Sequence, residues 1–264
     1  MEDLMVLKND KKYDHQETKS LLAKVRDFFQ TKLRIIVPEC VTEKEEQTDQ
    51  VNNGFIEAFD IAEGADAIFS ACNGFDDLEG ILDLFEGRLN DLLDGMDDLL
   101  DKNTDLDDES KKSLDSYASA IDKCINVYGI QRRKRMARFK ELNSVAELQD
   151  ELRQLFTEIV SNYIIAVLFD ALYERIKNNS GTVYELVVRE VNEFLAQNGI
   201  FTKHVNVGDA IDPEYMEPTS DSSENYTDDY QKFEKIDEIR RYPYMFKGGY
   251  KVADGYARIW RRKD

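Results

Sequence analysis

The run LEGILDLFEGRLNDLLDGMDDLL, residues 78–100, places Leu78, Leu82, Phe85, Leu89, Leu92, Met96 and Leu99 at alternating spacings of four and three. That is an a/d seam held for about three heptads, the pattern of a helix that needs a helical partner. Seven of the sixteen other positions carry Asp or Glu, against Arg88 as the one cation inside the run and Lys102 just beyond it. A parallel copy would set like charges against each other, so the seam is expected to pack within its own chain, against 51–72 or 113–127. Gly80, Gly87 and Gly95 each weaken such a helix by about 1 kcal/mol relative to Ala; close approach of another backbone is one reason to keep them.

Outward from the seam the helical period continues. Toward the N-terminus, TKSLLAKVRDFFQTKLRIIV puts Leu21, Leu22, Val25, Phe28, Phe29, Leu33 and Ile36 on one stripe, and Pro38 ends it. Toward the C-terminus, a helix is expected over 109–127, followed by the basic stretch QRRKRMARFK at 131–140, read as offsetting acidic neighbours. LFTEIVSNYIIAVLFDALYERI is apolar around much of its circumference and belongs in the middle of a bundle. Thr182 and Glu185 form a capping box that opens a helix with Val183, Leu186, Val187, Val191, Phe194 and Leu195 on one face, closed by Asn198-Gly199. These last two helices are expected to form an antiparallel hairpin across KNNSG.

Past Gly199 the period shortens to two. IFTKHVNV alternates as a strand does, and KFEKIDEIRRYPYMFKGGYKVADGYARIW is rich in Tyr, Phe, Val and Ile cut by Pro, Gly-Gly and Asp-Gly. The fold class is therefore α+β: a mainly α-helical bundle with a small antiparallel β domain at the C-terminus. The expected organisation is an N-terminal helix and linker (1–50), an acidic helical region (51–143), a helical hairpin (144–200) and the β domain (201–264), standing free on the helices.

Composition narrows the function classes. A formal charge of -19 in 264 residues repels phosphate and anionic lipid over a Debye length of about 8 Å, so neither nucleic acid nor membrane is the expected partner. The longest apolar run, YIIAVLF at 163–169, is short for a bilayer, and no secretory signal is visible at the N-terminus. Cys40, Cys72 and Cys124 suggest no disulfide framework, consistent with a reducing cytoplasm. His15 and His204 are the two histidines, so a histidine-centred metal site or a Ser/His/Asp triad is not assembled. DKNTDLDDESKK from Asp101 begins like a calcium loop but carries Leu106 and Lys112 where Gly and Glu are needed. GGYKVADG lacks the Lys-Ser/Thr ending of a phosphate-binding loop. The expectation is a protein without catalytic activity or cofactor. A nucleic-acid mimic and an enzyme of undetected type are the weaker alternatives.

Over residues 182–260 several motifs fall in a known order. Asn198-Gly199-Ile200 closes a helix, VNVGDAIDPEYME supplies Asp212, Pro213 and Glu217, and GGYKVADGYAR supplies Gly249, Tyr250, Val252 and Arg258. This resembles the C-terminal part of the GrpE family, the nucleotide exchange factors of Hsp70-type chaperones. The chain departs from the pattern at Met216, Gly255 and Trp260-Arg261-Arg262, and in a longer segment at 218–232. The resemblance implies a co-chaperone that binds the nucleotide-binding domain of an Hsp70-type chaperone and promotes ADP release, with a homodimer through the helices. On that reading Tyr244, Phe246, Tyr250 and Tyr256 are candidate anchors, Lys247 and Arg258 supply charge, and Gly249 serves the backbone; for the aromatic residues a core role is the alternative. The competing expectation is a non-catalytic adaptor that binds another protein through a GrpE-like β tip and the acidic segment 76–109.

Overall fold

A computed structural model describes residues 56–103, 105–178, 183–219 and 226–262. The expected N-terminal helix before Pro38, together with His15, Cys40 and Thr182 of the capping box, lies outside the described residues.

Three 3-10 turns, Ile56–Phe59, Ile68–Ala71 and Phe75–Asp77, lead into helix α1, Leu78–Lys102. All seven seam residues of α1 are buried, so the four-three spacing has the consequence it predicts. The partners are in the same chain: α2, Asp108–Phe139, on one side and α5, Val183–Gln197, on the other. Glycine serves no close backbone approach here. A Cβ at Gly80 or Gly87 would meet nothing, and at Gly95 only the Glu190 carboxylate at 3.1 Å. Nothing in the packing requires glycine at the first two positions.

Helix α2 runs twelve residues past the expected end at 127, because the basic stretch is itself helical. Asp107 starts it, its carboxylate accepting from Ser110 N at 2.6 Å. The arginines at 132, 135 and 138 then tie α2 to its neighbours. Arg132 reaches Glu79, Asp83 and Glu86 of α1 at 2.6 to 2.8 Å. Arg135 and Arg138 converge at 2.8 Å on Glu151 of α3, Val145–Ile159, while Arg135 also holds Glu158. Glu151 is buried, so two guanidinium groups are what make its charge tolerable there. The reading of this stretch as an offset to acidic neighbours holds for these three arginines.

From α3 the helix widens into a π-helical segment, Val160–Phe169, and narrows again as α4, Asp170–Asn178. The run Val145–Tyr173 is long and apolar enough to cross a bilayer by length and composition. Burial of Val160, Ile164, Ile165, Leu168 and Phe169 within the protein accounts for that apolar content.

The β region follows: β1 Ile200–Thr202, β2 Met216–Pro218, β3 Tyr226–Thr227, β4 Ile236–Arg241, β5 Tyr244–Phe246, β6 Tyr250–Ala253, β7 Gly255–Ile259 and β8 Arg261–Arg262. They form three small sheets, ordered β1-β5-β6, β2-β7-β4 and β3-β8. The pairs β1/β5, β5/β6 and β4/β7 are antiparallel, whereas β2/β7 and β3/β8 are parallel. The α+β class stands. The expected long strand IFTKHVNV is only three residues of strand, because the next pair in register is Lys203 with Pro243, where Lys203 N donates to Pro243 O at 2.8 Å but proline has no N–H to return, and the backbone then turns at Asn206–Asp209.

The expectation of a free-standing β domain starting at 201 is corrected by the core. Buried side chains form one continuous cluster from Ile56 to Ala257. Tyr244 stacks on Phe169 of the π-helical segment at 5.5 Å, and Phe246 meets Phe69 edge-on at 5.0 Å. Strands of two to six residues bury too little surface alone, so these sheets complete their core against the helices.

Candidate partner-binding surface

Strand β5 is the centre of its sheet, with β1 on one side and β6 on the other. Its three residues are all buried, so the chain can present side chains only after it leaves the strand. It does so at Lys247-Gly248-Gly249. Phe246 and Tyr250 are paired across the hairpin, Gly249 N donates to Phe246 O at 3.1 Å, and both glycines sit at positive φ, +99° and +88°. Side chains rarely adopt that backbone, which gives the Gly-Gly pair a conformational reason.

The turn brings Tyr250 to the surface with 48% of its area in water. Its ring is not loose: the Arg153 guanidinium of α3 lies 4.6 Å from the centroid, and Phe69 approaches edge-on at 6.2 Å. Arg153 is in turn held by Asp150, and that pairing holds the Asp150 carboxyl below its usual range. Lys247 bonds Asp66 at 3.0 Å and Gly64 O at 3.3 Å. The hydrogen bond to Asp66 raises the lysine above its ordinary value, so it stays a cation.

The Asp-Pro turn lies at the other end of β6. Asp212 Oδ1 accepts from Glu214 N at 3.0 Å, and its carbonyl accepts from Tyr215 N and Met216 N at 3.1 and 2.9 Å. Pro213 is exposed at the turn, and Glu217 is exposed on β2. The turn is fastened to β6 and to the start of β7 by Lys251 Nζ to Glu214 O at 3.0 Å and by Gly255 N to Tyr215 O at 2.8 Å. Lys203 completes it, 3.4 Å from Asp212 and 3.1 Å from the centre of the Tyr215 ring.

The candidate residues thus separate into two groups. Lys247, Gly249, Tyr250, Asp212, Pro213 and Glu217 lie at the surface. Tyr244, Phe246 and Val252 are buried in the shared core, which removes them as anchors in this conformation. Tyr256 is half-buried beneath Arg241, whose guanidinium is 3.9 Å from its ring centre. Arg258 is committed internally, donating to Asp237 at 2.6 Å and meeting Glu238 at 3.3 Å, while Glu238 also accepts from Tyr173 OH at 2.9 Å. Arg153 was missed in the sequence, where nothing connects an arginine on an amphipathic helix with a tyrosine 97 positions later.

Among the described residues no three His, Cys, Asp or Glu side chains are arranged to hold a metal ion. A cavity of about 270 Å³ opens between Ile56, Glu57, His204, Val207, Ile239 and Tyr242. Its His204 contacts Asn206 at 3.1 Å and stacks on Tyr242. Burial first, then Asp60 and Glu57, push the Tyr242 phenol up to about 12. Comparison with protein-family models, curated proteins and solved structures finds no match for the chain.

Proposed function

We propose that the protein is a non-catalytic GrpE-like co-chaperone that binds the nucleotide-binding domain of an Hsp70-type chaperone and promotes ADP release. The observation that carries this reading is the joining of its two motif segments by one short strand. The Gly-Gly turn that displays Tyr250 and the capped Asp212–Glu217 turn sit at opposite ends of β6. The proposed contact surface is Tyr250, Arg153 and Lys247 at one end and Pro213 and Glu217 at the other. A surface that fits the open form of a nucleotide cleft better than the closed form weakens nucleotide binding by the ratio of the two affinities, with no bond chemistry.

The test is release of a fluorescent ADP analogue from a candidate Hsp70-type chaperone. Acceleration by micromolar protein, lost in Tyr250→Ala, is expected. No acceleration from any such chaperone would remove the reading.

A second reading, the adaptor, is favoured by one feature of α1. Asp94, Asp97 and Asp101 are exposed along its outer side, and the neighbouring Lys102 is engaged by Asp98 at 2.6 Å. Capture of a basic protein that weakens steeply with salt, with no effect on ADP release, would support it.

A further inference from the structure

A second surface is formed by residues 226–235 and 260–262, which carry four Lys and Arg against three Asp and Glu, a net +1 in a chain whose total is -19. Exposed aromatic side chains are concentrated in the same region. Tyr230 is 88% exposed, Tyr226 44% and Phe233 36%, and Trp260 is partly exposed beside them. Their backbone is fixed: Glu234 N donates to Trp260 O and Trp260 N to Lys235 O, both at 2.9 Å. Tyr226 pairs with Arg261 and Thr227 with Arg262 in the parallel β3/β8 ladder, and Lys232 Nζ stands 5.6 Å from the Trp260 ring. Glu234 holds φ +59°, the one described non-glycine residue at positive φ, a backbone state that for a glutamate must be held by its surroundings.

We infer that this patch is a docking surface for an extended acidic peptide segment of a protein partner, separate from the Tyr250 surface and independent of the exchange-factor reading. Charge complementarity selects the occupant: Lys232 and Arg262 offer cations on a protein that elsewhere repels acidic partners. The sheet edge selects its conformation. Among the described residues β3 has β8 as its one strand neighbour, and the peptide is placed as a strand along its other side. The exposed rings supply rigid apolar area of the kind that dominates interface energetics. A nucleic acid suits the patch less well. Asp228, Asp229 and Glu234 are interleaved with the rings, and a continuous phosphate chain must pass them, whereas a peptide can place its carboxylates opposite the cations alone.

Trp260 is the single tryptophan of the chain, so its fluorescence reports on this patch directly. The probe is a ten-residue peptide of alternating Glu and Val, titrated into the full-length protein. Expected is a saturable change in emission whose apparent Kd weakens severalfold in 0.5 M salt. Arg262→Glu or Tyr230→Ala weakens it about five- to tenfold, as loss of one interface anchor does. Tyr230 is so exposed that its removal leaves the fold intact, which unchanged far-UV circular dichroism verifies. No saturable change up to millimolar peptide, an equal response to the Lys-Val analogue, or tighter binding of oligothymidine would each overturn the inference.

Discussion

Phe246 and Tyr250 face each other across one hairpin, yet the structure gives them opposite tasks, and a pair of alanine substitutions separates these. Phe246 is fully buried against Phe69, so Phe246→Ala loses transfer free energy and leaves a cavity, together about 3–5 kcal/mol. Tyr250 keeps about half its surface in water. Its removal gives up the Arg153 contact, about 0.5–1 kcal/mol at an exposed site, and a share of its edge contact with Phe69, about 0.5 kcal/mol. The expected total is near 1 kcal/mol. With a urea m-value of about 2–3 kcal/mol/M, the unfolding midpoint falls by roughly 1–2.5 M for Phe246→Ala and by about 0.3–0.5 M for Tyr250→Ala. Circular dichroism with the two variants side by side is the assay. A Tyr250→Ala midpoint as low as that of Phe246→Ala would mean that Tyr250 is core, and the surface proposed to grip a partner would be gone.

Three further outcomes follow from the same packing. Glu151→Gln should lower stability by about 2 kcal/mol in urea titration, below the roughly 3–5 kcal/mol of a fully buried pair, because Arg135 keeps Glu158 and Arg138 is largely hydrated. Gly199→Ala should lower stability by about 2–3 kcal/mol, read as a fall in Tm, since φ is +73° and the new Cβ would lie 2.4 Å from Asp66 O and 2.5 Å from Ala67 Cα. On the alkaline side, burial raises the Cys124 thiol from 9.0 to about 12 and is the largest cause raising the Tyr242 phenol from 10.0 to about 12. The folded state holds these protons more tightly than the unfolded state, so their contribution is whole below pH 9 and is lost as pH rises toward 12. Urea midpoints measured at pH 8 and pH 11 should show that decline.

Much of the helical body is legible in the sequence because the signal is periodic. The seam of α1 names its own buried residues, and Val183, Val187, Val191, Phe194 and Leu195 of α5 do the same. The β region is legible in kind but not in placement. Residues 244–246 are buried without alternation, since the strand is flanked by β1 and β6, with Tyr244 against Phe169 and Phe246 against Phe69. A period-two reading cannot then tell Tyr244, which faces the core, from Tyr250, which meets water. The two belong to the same residue type in the same hairpin, and only the neighbours supplied by distant helices distinguish them. The boundary expected at 201 fails for a related reason: a change of period marks a change of secondary structure, not the edge of a core. Arg132, Arg135 and Arg138 could be foreseen as counterweights to carboxylates, but which carboxylates depends on how α1, α2 and α3 lie together.

The setting of the Gly-Gly turn has a mechanical consequence. It emerges from a strand enclosed on every side, and the ring it displays is already clamped by Arg153. A handle so rigidly mounted surrenders little motion when it is seized, so less of the interaction is spent on ordering. Substitutions that loosen the mounting, without touching the ring itself, should therefore shorten the lifetime of a complex more than they slow its formation.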